Sequence, residues 1–214
     1  MKVLITGSSN GIGKEIALKF LSKGFDVIGI DREESQIHND NYTHYTIDIR
    51  SKNLPNLGDI DYLINNAGTQ NEEDIDINLK GTINITERYG IQQNIKSIVM
   101  ICSASAHSGA EFPEYTASKG GMLAYTKNVA SRVAKYGATC NSISPGGVIT
   151  DMNKHIINSP SLWNEVLNET MLNKWATCEE IAEWVYFIAV VNKSMTAQDI
   201  LIDNGEMAKF NFVK

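Results

Sequence analysis

A doubly wound α/β fold, one parallel sheet of about seven strands with helices on both faces, is predicted by three features of this chain. Short apolar runs alternate with longer amphipathic stretches along the sequence. A glycine-rich turn, Thr6-Gly-Ser-Ser-Asn-Gly-Ile-Gly13, joins the first apolar run to the first amphipathic one. The 214 residues, 43% of them hydrophobic, suffice for one sizeable core and fall short of two full domains.

The elements follow in order. Residues 2–6 read as the first strand. Residues 11–23 carry Ile12, Ile16, Ala17 and Phe20 at helical spacing, and Gly24 supplies a left-handed stop. Residues 25–30 form the second strand, and further strands are expected at 42–47, 60–64, 97–101, 139–143 and 199–202. Helices are expected near 75–92, 113–136, 153–172 and 178–190. Pro113 suits the first turn of its helix and Gly137 its C-terminal cap. Only residues 69–77 separate Gly68 from Asn78, and the stretch between the third and fourth strands is also brief, so a helix on one face is expected to shrink to a turn. Residues 151–173, rich in Asn and Met, form the least regular segment and read as a functional cover.

Composition excludes several classes of function. A formal charge of -6 supplies no basic surface for a polyanion, so no nucleic-acid partner is expected. Cys102, Cys140 and Cys178 are odd in number and widely spaced, which gives neither a disulfide framework nor a metal-ligand set, and no metal is expected. No apolar run approaches about 18 residues, and a first strand starting at Lys2 leaves no room for a targeting segment. The expectation is a cytoplasmic protein without a membrane partner.

The glycine turn points to a dinucleotide. A strand ending at Thr6-Gly7, with Gly11 and Gly13 at a helix start, lets backbone amides approach a pyrophosphate whose charge the helix N-terminus favours. Ser9, Asn10 and Ile12 complete that turn. Its spacing, glycine, three residues, glycine, one residue, glycine, differs from the general dinucleotide fingerprint. Asp31 stands directly after the second strand, where a carboxylate can accept from both hydroxyls of an adenosine ribose. The same charge repels a 2′-phosphate, and Asn10 offers no cation to offset it, so NAD is favoured over NADP. Arg32 keeps NADP open, since its guanidinium could turn toward a phosphate.

Taken together these residues resemble the short-chain dehydrogenase/reductase family, in its compact branch with a single Rossmann-like domain, over almost the whole chain. Asn65-Asn-Ala-Gly68 looks like the family's fourth-strand motif, and the resemblance makes Asn66, Ala67 and Gly68 coenzyme neighbours. Asp48, with Ile49 beside it, looks like the residue that contacts the adenine ring. Pro145-Gly146, followed by Val148 and Thr150, looks like the nicotinamide-side loop. Asn78, Ser103, Tyr115 and Lys119 match the catalytic positions. Ser103 lies one residue closer to the tyrosine than is usual, with Cys102 in the usual place. A one-residue loop deletion explains this, because Cys102 continues an apolar strand, and Ser105 remains an alternative.

What the resemblance implies is an NAD(P)-dependent oxidoreductase acting on a secondary alcohol or ketone. On a helix, Tyr115 and Lys119 share a face, and an ammonium at that range favours a phenolate over a phenol. Tyr115 would then exchange a proton with the substrate oxygen, Ser103 would donate to that oxygen as charge develops, and Asn78 would hold a water linking Lys119 to solvent. His107, Thr69, Gln70, Met152 and Trp163 are placed to select the substrate, with Trp163 equally readable as core. A homodimer or homotetramer, formed through the helices starting near Ile75 and Pro113, is implied by the resemblance alone. Two alternatives remain: a coenzyme sensor that lost turnover, and a sugar-nucleotide epimerase or dehydratase, disfavoured by the glycine spacing and the lack of a C-terminal substrate domain.

Overall fold

The apolar runs become seven parallel strands in the computed structural model, which describes residues 1–70, 73–110 and 112–209. In chain order these are β1 (Lys2–Thr6), β2 (Asp26–Asp31), β3 (Tyr42–Thr46), β4 (Tyr62–Asn65), β5 (Ser97–Ile101), β6 (Thr139–Pro145) and β7 (Asp199–Ile202). Their spatial order is β3-β2-β1-β4-β5-β6-β7. The chain therefore builds outward from β1 to β3, returns to the other side of β1 and builds outward again. Val3 of β1 pairs with Val27 on one side and with Tyr62 on the other. That reversal between β1 and β4 opens the crevice in which folds of this kind bind ligands.

The helices cover both faces because the inner strands bury side chains in both directions. One face packs under α1 (Gly11–Ser22), which turns Ile16, Ala17 and Phe20 inward against Val3 and Ile5. The Phe20 ring meets Phe25 edge-on at 5.1 Å and Tyr186 at 5.4 Å. Tyr186 ends a later helix, and the surface pair Lys19 and Glu183 joins the same two elements. Each such fully buried side chain is worth roughly 1.5–3 kcal/mol over leaving it exposed.

Between β4 and β5 runs a helical segment of unusual pitch: a π-helical stretch Ile75–Gly81, an α-helical turn α2 (Thr82–Ile85) and a second π turn Thr86–Gly90. Asn65 Nδ2 donates to Thr86 Oγ1 at 2.9 Å and ties the segment to the end of β4. After β5 come a short α3 (Ser105–Ser108) and α4 (Pro113–Val133), which starts on its proline as expected. A 3-10 turn Ala134–Tyr136 extends α4, and Gly137, at φ +72°, closes it. The second face buries Leu4, Leu63 and Ile98 against Ile85, Met122 and Val129.

One connection is as short as expected, and one expected helix takes a different form. No helix lies in residues 47–61, the connection from β3 to β4, as the short spacing anticipates. The loop is stapled down instead: Asn84 Nδ2 donates to the carbonyls of Ile49 and Ser51 at 2.7 and 3.0 Å, and Tyr89 Oη donates to that of Pro55 at 2.7 Å. The long helix expected at 153–172 is broken into a 3-10 turn Asp151–Asn153, α5 (Lys154–Ile157) and α6 (Pro160–Asn168). Pro160 is the reason, because it pushes Ser159 out of helical geometry, to φ −104° and ψ 107°, and restarts the helix at its own position. Last comes α7 (Cys178–Tyr186), continued by a π turn Phe187–Val191. Among the described residues no helix is long and apolar enough to cross a membrane, and no His, Cys, Asp and Glu group could hold a metal ion.

Candidate active site

The crevice at the β1/β4 reversal is floored by glycines whose backbone angles or close neighbours disfavour a side chain. Gly7 and Gly11 hold φ at +68° and +51°. A Cβ on Gly13 would lie 1.9 Å from the Gly7 carbonyl oxygen, and one on Gly7 would lie 2.8 Å from Ala67 Cα. Bare backbone is thus what α1 offers at its N-terminus, the arrangement that accepts a pyrophosphate. Asn66 locks the floor, donating from Nδ2 to the carbonyls of Thr6 and Gly7 at 3.1 and 3.0 Å. Thr6 Oγ1 accepts from the N–H groups of Asn66 and Ala67, both at 3.0 Å. Asn66 and Ala67 hold the two strand ends together as well as lining the crevice.

Asp31 closes one end of the crevice. Its carboxylate accepts from the N–H of Ser9 at 2.9 Å and from that of Glu33 at 3.1 Å, leaving lone pairs for two further donors such as ribose hydroxyls. Asp48 is more occupied than its sequence position suggests. Arg50 chelates it through Nη2 and Nε at 2.7 and 3.0 Å and reaches Glu73 with Nη1 at 2.9 Å. The hydrogen-bonded guanidinium holds the Asp48 carboxyl below the usual carboxylate range. Ile49 is buried against Gly81, where a Cβ would sit 2.6 Å from Ile49 Cδ1. At the other end Pro145 finishes β6, Gly146 donates to the Ile202 carbonyl at 3.0 Å, and Val148 bridges to Ala176. Thr150 Cγ2 comes within 3.8 Å of a Cβ built on Gly11, so this loop arches over the glycine turn.

Between these ends the structure gathers Gly68, Asn78, Tyr115 and Lys119. A Cβ on Gly68 would lie 3.1 Å from Asn78 Oδ1 and 3.3 Å from Lys119 Nζ, so glycine here keeps those two side chains close. Lys119 is buried, with Nζ donating to the Ile101 carbonyl at 2.8 Å and standing 5.7 Å from the centroid of the Tyr115 ring. Asn78 sits in the π-helical stretch, a distortion that recurs at functional sites. Its Oδ1 accepts from the Thr69 N–H at 2.7 Å, while Nδ2 donates to the Thr69 carbonyl at 2.9 Å and to Ser118 Oγ at 3.1 Å. Ser118 Oγ in turn donates to the Tyr115 carbonyl at 2.7 Å. The Asn78 side chain therefore clamps the strand-end loop to the tyrosine helix.

Cys102 lies in the core, where burial pushes its thiol up to about 12. Ser103 Oγ donates to Ser105 Oγ and accepts from the Ser105 N–H, both at 3.2 Å. The substrate-side candidates divide. His107 turns its Nε2 to Asp199 on the sheet edge at 2.8 Å, and Thr69 is held through its backbone by Asn78. Met152 is exposed and Gln70 partly so, while Trp163 packs edge-on against Trp175 at 5.3 Å. Trp175 escaped sequence analysis, having no local signal. It covers Gly147, where a Cβ would lie 2.2 Å from its indole, and so buttresses the loop that follows β6.

The profile of a known family, the short chain dehydrogenases, matches residues 1–160. The chain belongs to that family. As a short-chain dehydrogenase it is an NAD(P)-dependent oxidoreductase, and the comparisons with individual proteins agree. A 3-oxoacyl-[acyl-carrier-protein] reductase of Thermotoga maritima is 31% identical over 238 residues, spanning 94% of this chain and 96% of that one. Among solved structures, a short chain dehydrogenase family protein of Francisella tularensis superposes with a TM-score of 0.85 at 29% identity, covering 97% of this chain and 99% of the other. ElxO, solved with NADP bound, superposes with a TM-score of 0.87 at 25% identity over 97% of this chain and 99% of its own.

Proposed function

We propose that this short-chain dehydrogenase moves a hydride between NAD and a secondary alcohol or ketone, with Tyr115 as the group that gives and takes the proton. The observation that carries the reading is the convergence of Lys119 Nζ on the Tyr115 ring at 5.7 Å, beside Gly68 and Asn78. A nicotinamide coenzyme, when bound, supplies or accepts the hydride. Gly7, Ser9, Asn10, Gly11, Ile12 and Gly13 would hold its pyrophosphate, and Asp31 its ribose. Asp48, Ile49, Asn66, Ala67 and Gly68 would line the adenine side and the crevice floor, with Pro145, Gly146, Val148 and Thr150 on the nicotinamide side.

The remaining chemistry belongs to side chains. Tyr115, with the buried Lys119 Nζ beside its ring, would accept a proton from an alcohol or return one to an alkoxide. Ser103 would turn its hydroxyl hydrogen from Ser105 Oγ to the substrate oxygen where charge develops, its own oxygen still held by the Ser105 N–H. Asn78 fixes the helix that presents Tyr115 through Ser118. One domain would carry both coenzyme and substrate sites. The NADP held by ElxO, together with Arg32 in this chain, supports NADP as the competing coenzyme.

A panel of alcohols and ketones, followed by absorbance of the reduced nicotinamide with both coenzymes, tests the reading. Tyr115→Phe is expected to retain NADH binding and to lower turnover by about 10²–10⁴. Coenzyme binding without turnover on any member of the panel would transfer the conclusion to a sensor.

A further inference from the structure

Glu33, two residues beyond Asp31, is gripped at two points by the turn that would cradle the coenzyme and at a third by Asp31 itself. Its N–H donates to Asp31 Oδ1 at 3.1 Å, and its carbonyl accepts from Ser9 Oγ at 2.9 Å. Its Oε2 accepts from Asn10 Nδ2 at 2.9 Å. The carbonyl also lies 2.9 Å from His44 Nε2, and that ring is braced through Tyr42 Oη, 3.1 Å from His44 Nδ1 and 3.0 Å from Ser8 Oγ. A carboxylate on an exposed loop ordinarily wanders. This one is fixed at the entrance to α1, on Asn10, the residue that precedes the helix. Arg32 leans the same way, its 65% exposed side chain carrying Nε 4.0 Å from Glu33 Oε1, so Glu33 competes with a phosphate for that charge.

We infer that Glu33 is a second determinant of coenzyme choice, a carboxylate held by Asn10 that works with Asp31 to repel a 2′-phosphate. The inference rests on the NAD reading above and deepens it. Two like charges several ångströms apart near a protein surface interact strongly enough to move a binding ratio by roughly tenfold, and the effect is screened by salt. A structural role for Glu33 would instead alter binding of both coenzymes together, whatever the ionic strength.

The experiment is a fluorescence titration of the intact protein with NADH and with NADPH, at low and at high salt. Glu33→Gln is expected to lower the ratio of the NADPH to the NADH dissociation constant by roughly tenfold at low salt. The wild-type ratio should shrink as salt rises, and the Glu33→Gln ratio should respond less. Asn10→Ala keeps the charge while cutting its tether, so it should lower the ratio by less than Glu33→Gln does. A ratio unmoved by Glu33→Gln with NADH binding intact, two constants that move in parallel, or equal salt responses would overturn the inference alone. Failure of the wild-type protein to bind either coenzyme would overturn the NAD reading and this inference with it.

Discussion

Glu206 is half-buried beside two carboxylates of its own sign, and burial first, then Asp203 and Glu169, raises its ionisation above the usual range. A carboxyl whose folded value is raised is easier to tolerate protonated. Its burden on the fold is therefore absent below about pH 4, where both folded and unfolded chains hold the proton, and grows as pH rises through the folded value. Glu206→Gln should raise the melting temperature at neutral pH and leave it nearly level with wild type at pH 4. Equal melts at both pH values would show that the neighbours impose no cost. At this scale the sequence was legible wherever one residue type has one use. Asp31 after a strand, and Tyr115 four residues before Lys119, take the positions expected of them. Glu33 and Trp175 were not legible, because their roles exist only through partners distant in sequence, Asn10 and Gly147. The bond from His107 to Asp199 was illegible for the same reason, since Asp199 arrives from the far end of the chain.

Among the elements, α7 starts on the best-defined device in the molecule. Thr177 Oγ1 accepts from the Glu180 N–H at 3.3 Å, and Glu180 Oε2 accepts from the Thr177 N–H at 3.0 Å, a reciprocal box that satisfies two otherwise open donors. Thr177→Ala should cost about 1 kcal/mol, a fall of about 2–4 °C in melting temperature for a domain of this size. A melt identical to wild type would mean that neighbouring packing already fixes the start of the helix. Helix ends marked by proline or glycine, such as Pro113 and Gly137, were legible, because their backbone restrictions act locally. The split into α5 and α6 was missed although Pro160 stood in the sequence, where its restriction on Ser159 was not read as a helix boundary. The π-helical pitch around Asn78 had no such marker. It coincides with the clamp on Thr69 and Ser118, which no periodicity reports.

For the whole molecule, the parallel sheet was legible from the alternation of apolar and amphipathic runs, whereas the strand order was not, since it depends on which edges meet after the return past β1. That reversal decides the site: it brings Thr6, Asn66 and Lys119 to one rim from three separate stretches of chain. The loop after β6 completes the rim and carries an indole pair on its back, Trp175 on Gly147 with Trp163 leaning on it. Since reduced nicotinamide absorbs where tryptophan emits, the protein has its own optical reporter. Exciting the indoles should yield blue coenzyme emission as NADH fills the crevice. Trp184, exposed on α7, is the remaining tryptophan of the chain, and replacing it with phenylalanine should leave that energy transfer in place while darkening the background.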